Sequence, residues 1–267
     1  MADLGWCCGT INVVTPPIVL TIAAHDPLGG AGIAADLTTF AALGAHGMVA
    51  VTAVTAQRFG KVDQVVATPA DLLAVQLDGI IASCAIDGLK VGLLFDPAQV
   101  AVVAERVADG RLPAPVVDPV MVDGGGVRFV AAEIETACRE LLFPQTVVLT
   151  PNLAEAELLG GSPTALASLG ADLVIVTGGG AGATDLLIGS DGTMTELPGE
   201  WIDTANVRGS GCTFAAALAA LVAQGVPLLD GPALAKEFVA DRLRDSATWA
   251  VGPHASVGPI SHRIAQM

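Results

Sequence analysis

Short apolar runs alternate with amphipathic stretches of helix length along most of this 267-residue chain, and that alternation restricts the fold more than any other feature. By run length, β-branched content and apolar period, residues 18–24 and 47–53 read as strands and residues 31–43 and 70–83 as helices. The pattern continues with strands at 88–91, 115–118, 146–150 and 173–177, and with helices at 97–108, 131–142 and 153–159. Regular succession of the two implies βαβ units and a mainly parallel sheet covered on both faces. After residue 177 the order changes. Residues 184–188 and 193–197 flank Gly189-Ser190-Asp191-Gly192 like the arms of a hairpin, and helices at 211–224 and 232–249 follow. No linker or internal repeat divides the chain, so we expect an untidy leader over residues 1–17 and one α/β domain over 18–267.

Composition excludes several classes of function. Hydrophobic residues make up 52% of the chain and charged residues 15%, too apolar for a disordered protein. No apolar run approaches the roughly 18 to 20 residues of a membrane helix. Residues 1–14 carry Asp3 and no Lys or Arg, unlike a secretory signal, so a soluble, cytoplasmic protein is expected. The five cysteines are odd in number and lack CxxC spacing, which points to reduced thiols rather than disulfides or zinc. A formal charge of −15 argues against nucleic-acid partners, whose affinity rests on clustered positive charge.

In an open α/β sheet, ligands bind beyond the carboxyl ends of the strands. The residues to weigh are therefore Ala24-His25-Asp26, Gln57, Lys90-Val91-Gly92, Asp118-Pro119-Val120, Thr150-Pro151-Asn152 and Thr177-Gly178-Gly179. The run Asn206-Val207-Arg208-Gly209-Ser210-Gly211-Cys212-Thr213, followed by an apolar helix, reads as an anion hole. Its glycines allow a tight turn, consecutive N–H groups converge, and the helix dipole favours negative charge there. A thiol at such a position, Cys212, is expected to have a lowered pKa. The plainer reading is a glycine turn capping a buried helix, with a small hydrophobe at Cys212.

Asn152 and Glu155 stand one helical turn apart at a helix start. They could hold Mg²⁺ near phosphates, or simply form a capping box. Asp118 is open in the same way between metal-holding carboxylate and turn residue. Residues 177–183 satisfy the G-x-G-x-x-A dinucleotide pattern, but a hairpin follows in place of the required helix, and we reject that reading. A second glycine-rich passage, residues 27–36, could bring backbone close to a flat ligand while Asp36 accepts a hydrogen bond from an amino group. The histidines, His25, His46, His254 and His262, show no metal-ligand spacing.

Taken in order, these segments resemble the hydroxymethylpyrimidine/phosphomethylpyrimidine kinases of thiamine biosynthesis, in the ribokinase-like superfamily. The resemblance runs from about residue 18 to 259 and is carried by DPLGGAGIAADLTTFAALGAHG from Asp26, VTAVTAQ from Val51, LKVGLL from Leu89, VVDPVM from Val116, LTPNLAEAELL from Leu149 and GSGCT at Gly209. It implies a three-layer α/β/α sandwich and ATP-dependent phosphorylation of the hydroxymethylpyrimidine and of its monophosphate, with Mg²⁺ and a homodimeric state. It also implies roles: Gly209, Ser210, Gly211 and Cys212 as the anion hole, with Cys212 assisting deprotonation of the hydroxymethyl group. Ala24, Asp36, Gln57, Leu93 and Val120 would line the pyrimidine pocket. Asn152, Glu155, Thr177, Gly179 and Lys236 would face the nucleotide, and Asp118 and Glu155 the metal.

The chain departs from the family pattern in several places. It has Ala24-His25 for Gly-Ser, Leu93 for methionine, Thr177 for a lysine, Gly180 for a histidine, and Asp123-Gly124-Gly125-Gly126 in the lid segment. Two alternatives stay open: a pyridoxal kinase, or a pyrimidine-binding protein of weak catalytic power.

Overall fold

The computed structural model describes residues 15–58, 61–122, 128, 130–178, 183–250 and 257–263. All of its strands join one nine-stranded sheet in the order β3-β2-β1-β4-β5-β6-β7-β8-β9. The parallel body consists of β1 (Ile18–His25), β2 (His46–Arg58), β4 (Gly88–Val91), β5 (Val116–Val117), β6 (Val148–Leu149) and β7 (Leu173–Val176). Antiparallel strands close both edges, with β3 (Lys61–Ala67) beside β2, and β8 (Asp185–Gly189) and β9 (Met194–Leu197) beyond β7.

Successive residues of the central strands serve opposite cores, as the two-residue period of a strand requires. Leu20, Val117, Leu149 and Val174 enter one apolar cluster, whereas Val19, Val116, Val148 and Leu173 enter the other. The first cluster lies under α2 (Ala70–Ser83), α3 (Pro97–Ala108), α4 (Ala132–Ala137), α5 (Leu153–Leu158) and α6 (Pro163–Ala167). The second lies under α1 (Gly32–Ala42), α7 (Ser210–Ala223) and α8 (Gly231–Ser246). Three layers result, as the resemblance implies.

Helix α7 is the axis of this arrangement. Its residues 213–221 are all buried, and five of the nine are alanine. Small side chains let its backbone come close to the sheet: a Cβ on Gly88 of β4 would lie 2.8 Å from both the Ala219 carbonyl oxygen and the Ala223 Cβ. The loop ahead of α7 is tied down as well. Asn206, itself buried, donates from Nδ2 to the carbonyls of Ser246 (2.6 Å) and Trp249 (3.1 Å), so the end of α8 fixes the entry to α7.

Two departures from the sequence reading have local causes. Strand β3 was not expected, because most of its residues are exposed at the sheet edge and carry no one-sided apolar pattern. The helix expected over 131–142 instead passes from α4 into a π-helical turn, Cys138–Leu142, followed by a 3-10 turn, Phe143–Gln145.

Because α7 has no spare volume on its sheet side, a larger side chain there must displace backbone. Ala216→Leu is expected to destabilise the fold by about 1–3 kcal/mol, read as a lower urea midpoint; an unchanged midpoint would contradict this packing.

Candidate active site

Chain order reverses about β1, since β2 pairs on one side of it and β4 on the other, and in such sheets the crevice opens outside this switch point. The N-terminus of α7 faces the same end. Its N-cap, Gly209, has φ 88, and a side chain there would strike the carbonyl oxygen of Gly30. Gly32, at φ 56, could not carry a Cβ without striking the Ala24 carbonyl oxygen. Gly30 therefore brings backbone close to the turn before α7, and Gly32 brings it close to the end of β1. An ion pair reinforces the contact: Arg208 reaches Asp26 at 3.0 Å, and Asp26 also accepts the Leu28 N–H at 2.9 Å. Both lie in segments that the sequence marked, but their pairing across 182 residues was not foreseen.

No side chain caps α7. Ser210 and Thr213 donate to the carbonyls of Val207 and Gly209, but the amides of Gly211 and Cys212 have no backbone acceptor among the described residues, and Gly211 is exposed. Free N–H groups and the dipole of a four-turn helix make this mouth favourable for an anion. Of the expected anion-hole residues, Gly209 forms the turn, Ser210 bonds back to Val207, and Gly211 and Cys212 leave their amides open.

The expected lowering of the Cys212 pKa is corrected. Burial pushes the thiol up to about 12; the nearby ammonium of Lys90 opposes this, while Asp118 and Asp36 raise it further, and the Gly32 amide hydrogen-bonds to the sulfur. Desolvation and two carboxylates here act against the helix terminus. Asp118, at the end of β5, is buried beside this sulfur; burial raises its pKa, whereas Lys90 and a hydrogen bond from the thiol lower it.

Glu155 realises the capping box. Its backbone N–H donates to Asn152 Oδ1 at 3.0 Å, and its Oε2 accepts the Asn152 N–H at 3.1 Å. It does more than cap, because Oε1 accepts the Met121 N–H at 2.9 Å and so ties the start of α5 to the loop after Asp118. Asp118, Glu155 and Cys212, distant in sequence, thereby share one end of the sheet.

The remaining site residues fall into three groups. Asp36 was expected on the pyrimidine. Instead it is wholly buried, with Oδ2 accepting from Thr21 Oγ1 (2.6 Å) and from Lys90 Nζ (3.0 Å). It lies beneath the crevice, on the inward face of α1. Ala24 is buried at the end of β1, and Gln57, Leu93 and Val120 are half-buried at the ends of β2, β4 and β5. On the other side, the Thr177 N–H donates to the Pro151 carbonyl at 2.9 Å, which joins the ends of β6 and β7. Lys236 is not a free cation: Nζ pairs with Asp185 at 2.6 Å and donates to the Leu197 carbonyl at 3.1 Å, while the second Asp185 oxygen accepts the Gly178 N–H at 3.2 Å. Gly179, Gly180 and the lid residues 123–126 lie outside the described residues.

Among the described residues no three His, Cys, Asp or Glu side chains form a ready-made metal cage. Mg²⁺ seldom has one, since it takes one or two carboxylates and completes its shell with water and phosphate oxygens. Asp118 and Glu155 fit that donor set.

A sheet with its switch point, an uncapped helix mouth and a buried acid beside it define a phosphotransferase-type α/β site. The phosphomethylpyrimidine kinase family model matches residues 26–260. Hydroxymethylpyrimidine/phosphomethylpyrimidine kinase of Rhizobium meliloti is 36% identical over 260 residues, covering 92% of this chain and 96% of that protein. Among solved structures, Bacillus subtilis pyridoxal kinase in complex with ADP superposes with a TM-score of 0.82 at 33% identity, covering 93% of this chain and 98% of that one. Phosphomethylpyrimidine kinase of Clostridium difficile superposes with a TM-score of 0.73 at 27% identity, covering 84% and 98%. The chain belongs to the phosphomethylpyrimidine kinase family.

The carboxyl of Glu155 is pushed up to about 7 from its ordinary 4.5, by burial first and the charge of Asp118 second, against the backbone amides that lower it. Between those two values the folded chain binds more protons than the unfolded chain. The contribution of Glu155 to stability is therefore greatest below pH 4.5, falls as pH rises through about 7, and is flat above. Urea unfolding of the parent and Glu155→Gln in metal-free buffer should show the parent losing stability relative to the variant across that window. A pH-independent difference would contradict the assignment.

Proposed function

We propose that this chain is an ATP-dependent kinase that phosphorylates 4-amino-5-hydroxymethyl-2-methylpyrimidine and then its monophosphate, supplying the diphosphate for thiamine biosynthesis. The observation that carries the reading is the meeting of the open α7 mouth with Cys212 and Asp118 at the switch point of the sheet. Family membership supports the substrate, and the ADP complex of the pyridoxal kinase neighbour supports the nucleotide.

Phosphoryl transfer through a loose transition state asks little covalent work of a protein; positioning and charge stabilisation dominate. The amides of Gly211 and Cys212 would receive the equatorial oxygens of the migrating group. Asp118 would hold Mg²⁺ directly and Glu155 would hold it through water; when bound, the ion neutralises phosphate charge. Cys212 enters as a thiol that donates to Asp118, so it would fix the hydroxymethyl oxygen and, late in the transfer, take up the hydroxyl proton on sulfur as its own proton passes to the Asp118 carboxylate. Ala24, Gln57, Leu93 and Val120, at neighbouring strand ends, would enclose the ring, with Asp36 supporting that floor from below. Asn152, Thr177, Gly179 and Lys236 would border the nucleotide, where the ion pair of Lys236 with Asp185 braces the segment beginning at Gly178.

No helix among the described residues is long and apolar enough to cross a membrane, and we place the enzyme in the cytoplasm. Exposed Val54, Val62 and Val66 on the β2–β3 edge favour a homodimer. The pyridoxal kinase neighbour makes pyridoxal the second substrate to try.

Mass analysis after incubation with Mg²⁺·ATP and the hydroxymethylpyrimidine, its monophosphate or pyridoxal decides among these. The pyrimidine mono- and diphosphates are expected. Cys212→Ala should lower kcat by about a hundredfold or more while leaving pyrimidine affinity nearly unchanged. An unaltered kcat would remove Cys212 from the mechanism.

A further inference from the structure

Lys90 is the only lysine or arginine on the central parallel strands β1 and β4–β7. It stands next to the switch point, fully buried, with Nζ 3.0 Å from an equally buried Asp36 Oδ2. The other Asp36 oxygen, Oδ1, is buried without a hydrogen-bond partner. Stability alone does not account for such a pair. Buried ion pairs are often no better than apolar residues of the same volume, and this one leaves an acceptor unsatisfied.

The surroundings of the ammonium point to the site above it. A Cβ on Gly92 would lie 2.9 Å from Lys90 Nζ, so the charge presses against the backbone where β4 ends, and the absence of a side chain makes room for it. Asp36 first, with Asp118, acts on the ammonium electrostatically and holds it protonated against the cost of burial. One fixed positive charge thus sits among three acidic groups under the crevice floor. A polyphosphate and a second substrate would bring further negative charge to the same place.

We propose that Lys90 is a positioning residue for phosphoryl transfer: its buried ammonium, anchored by Asp36, holds Asp118 and Cys212 in their places and offsets the negative charge that gathers above them in the transition state. A preorganised cation of this kind acts without reorganisation at the moment of reaction. The inference rests on the kinase reading and adds a residue to it. It also gives Asp36 a task other than touching substrate.

The test compares the parent, Lys90→Met and the double variant Lys90→Met/Asp36→Asn, by melting temperature and by kcat and KM for the hydroxymethylpyrimidine with Mg²⁺·ATP. The single variant leaves an uncompensated buried carboxylate and should melt well below the parent. The double variant should recover most of that loss, yet keep kcat at least about tenfold below the parent with KM within about threefold. If the single variant does not accumulate, the double variant alone carries the comparison. Recovery of kcat together with melting temperature would make the pair purely structural and overturn the proposal. So would a raised KM with kcat intact, which would place Lys90 in substrate binding. A parent that phosphorylates none of the three small molecules would instead bring down the kinase reading itself.

Discussion

The site depends on a contact between two pieces of bare backbone. Gly209, in a left-handed conformation, lies against the carbonyl of Gly30, and no side chain could be accommodated between them. This contact sets where α7 begins and which way its first turn faces. Because α7 is buried from Thr213 to Leu221 and packed on β4 through alanines, the mouth of the helix is held against the sheet. The surrounding anchors serve the same end. Arg208 pairs with Asp26, the Arg208 backbone bonds with Gly258 and Ile260, and Asn206 holds the end of α8.

Charge is distributed unevenly around that frame. The chain carries a net charge of −15, yet its buried ionic groups concentrate at one end of the sheet. Desolvation raises the pKa of Asp36, Asp118, Glu155 and Cys212 alike, and Lys90 is the cation that opposes it for Asp36, Asp118 and Cys212. Such clustering costs stability and is the usual mark of a site built for chemistry rather than for folding. Four acidic groups with one interior cation, next to free helix amides, suit a reaction in which anions are brought together and must be neutralised in turn.

How much of this could be read from sequence follows from the range of each interaction. The parallel body was legible because every central strand is buried on both faces and reads as a continuous apolar run. The α7 turn was legible because its glycines and its helix are contiguous. The capping box at Asn152 and Glu155 was legible for the same reason, although its link to the Met121 amide was not. Strand β3 escaped because an exposed edge strand buries no face. The pairs Asp36–Lys90 and Asp26–Arg208 join residues 54 and 182 positions apart, and no local pattern marks them. The error at Cys212 had the same origin. The helix terminus that would lower its pKa is local and visible, whereas the carboxylates and the burial that raise it come from α1 and β5.

The central claim is that the amides at the start of α7 receive the phosphoryl group in flight, next to Asp118. A crystal structure with Mg²⁺, ADP, aluminium fluoride and the hydroxymethylpyrimidine tests it most directly, the fluoride standing in for the migrating PO₃ unit. The account predicts the fluoride within hydrogen-bonding reach of the Gly211 and Cys212 amides, with the hydroxymethyl oxygen between it and the Cys212 sulfur. A fluoride bound elsewhere in the crevice, with those two amides facing only solvent, would contradict it.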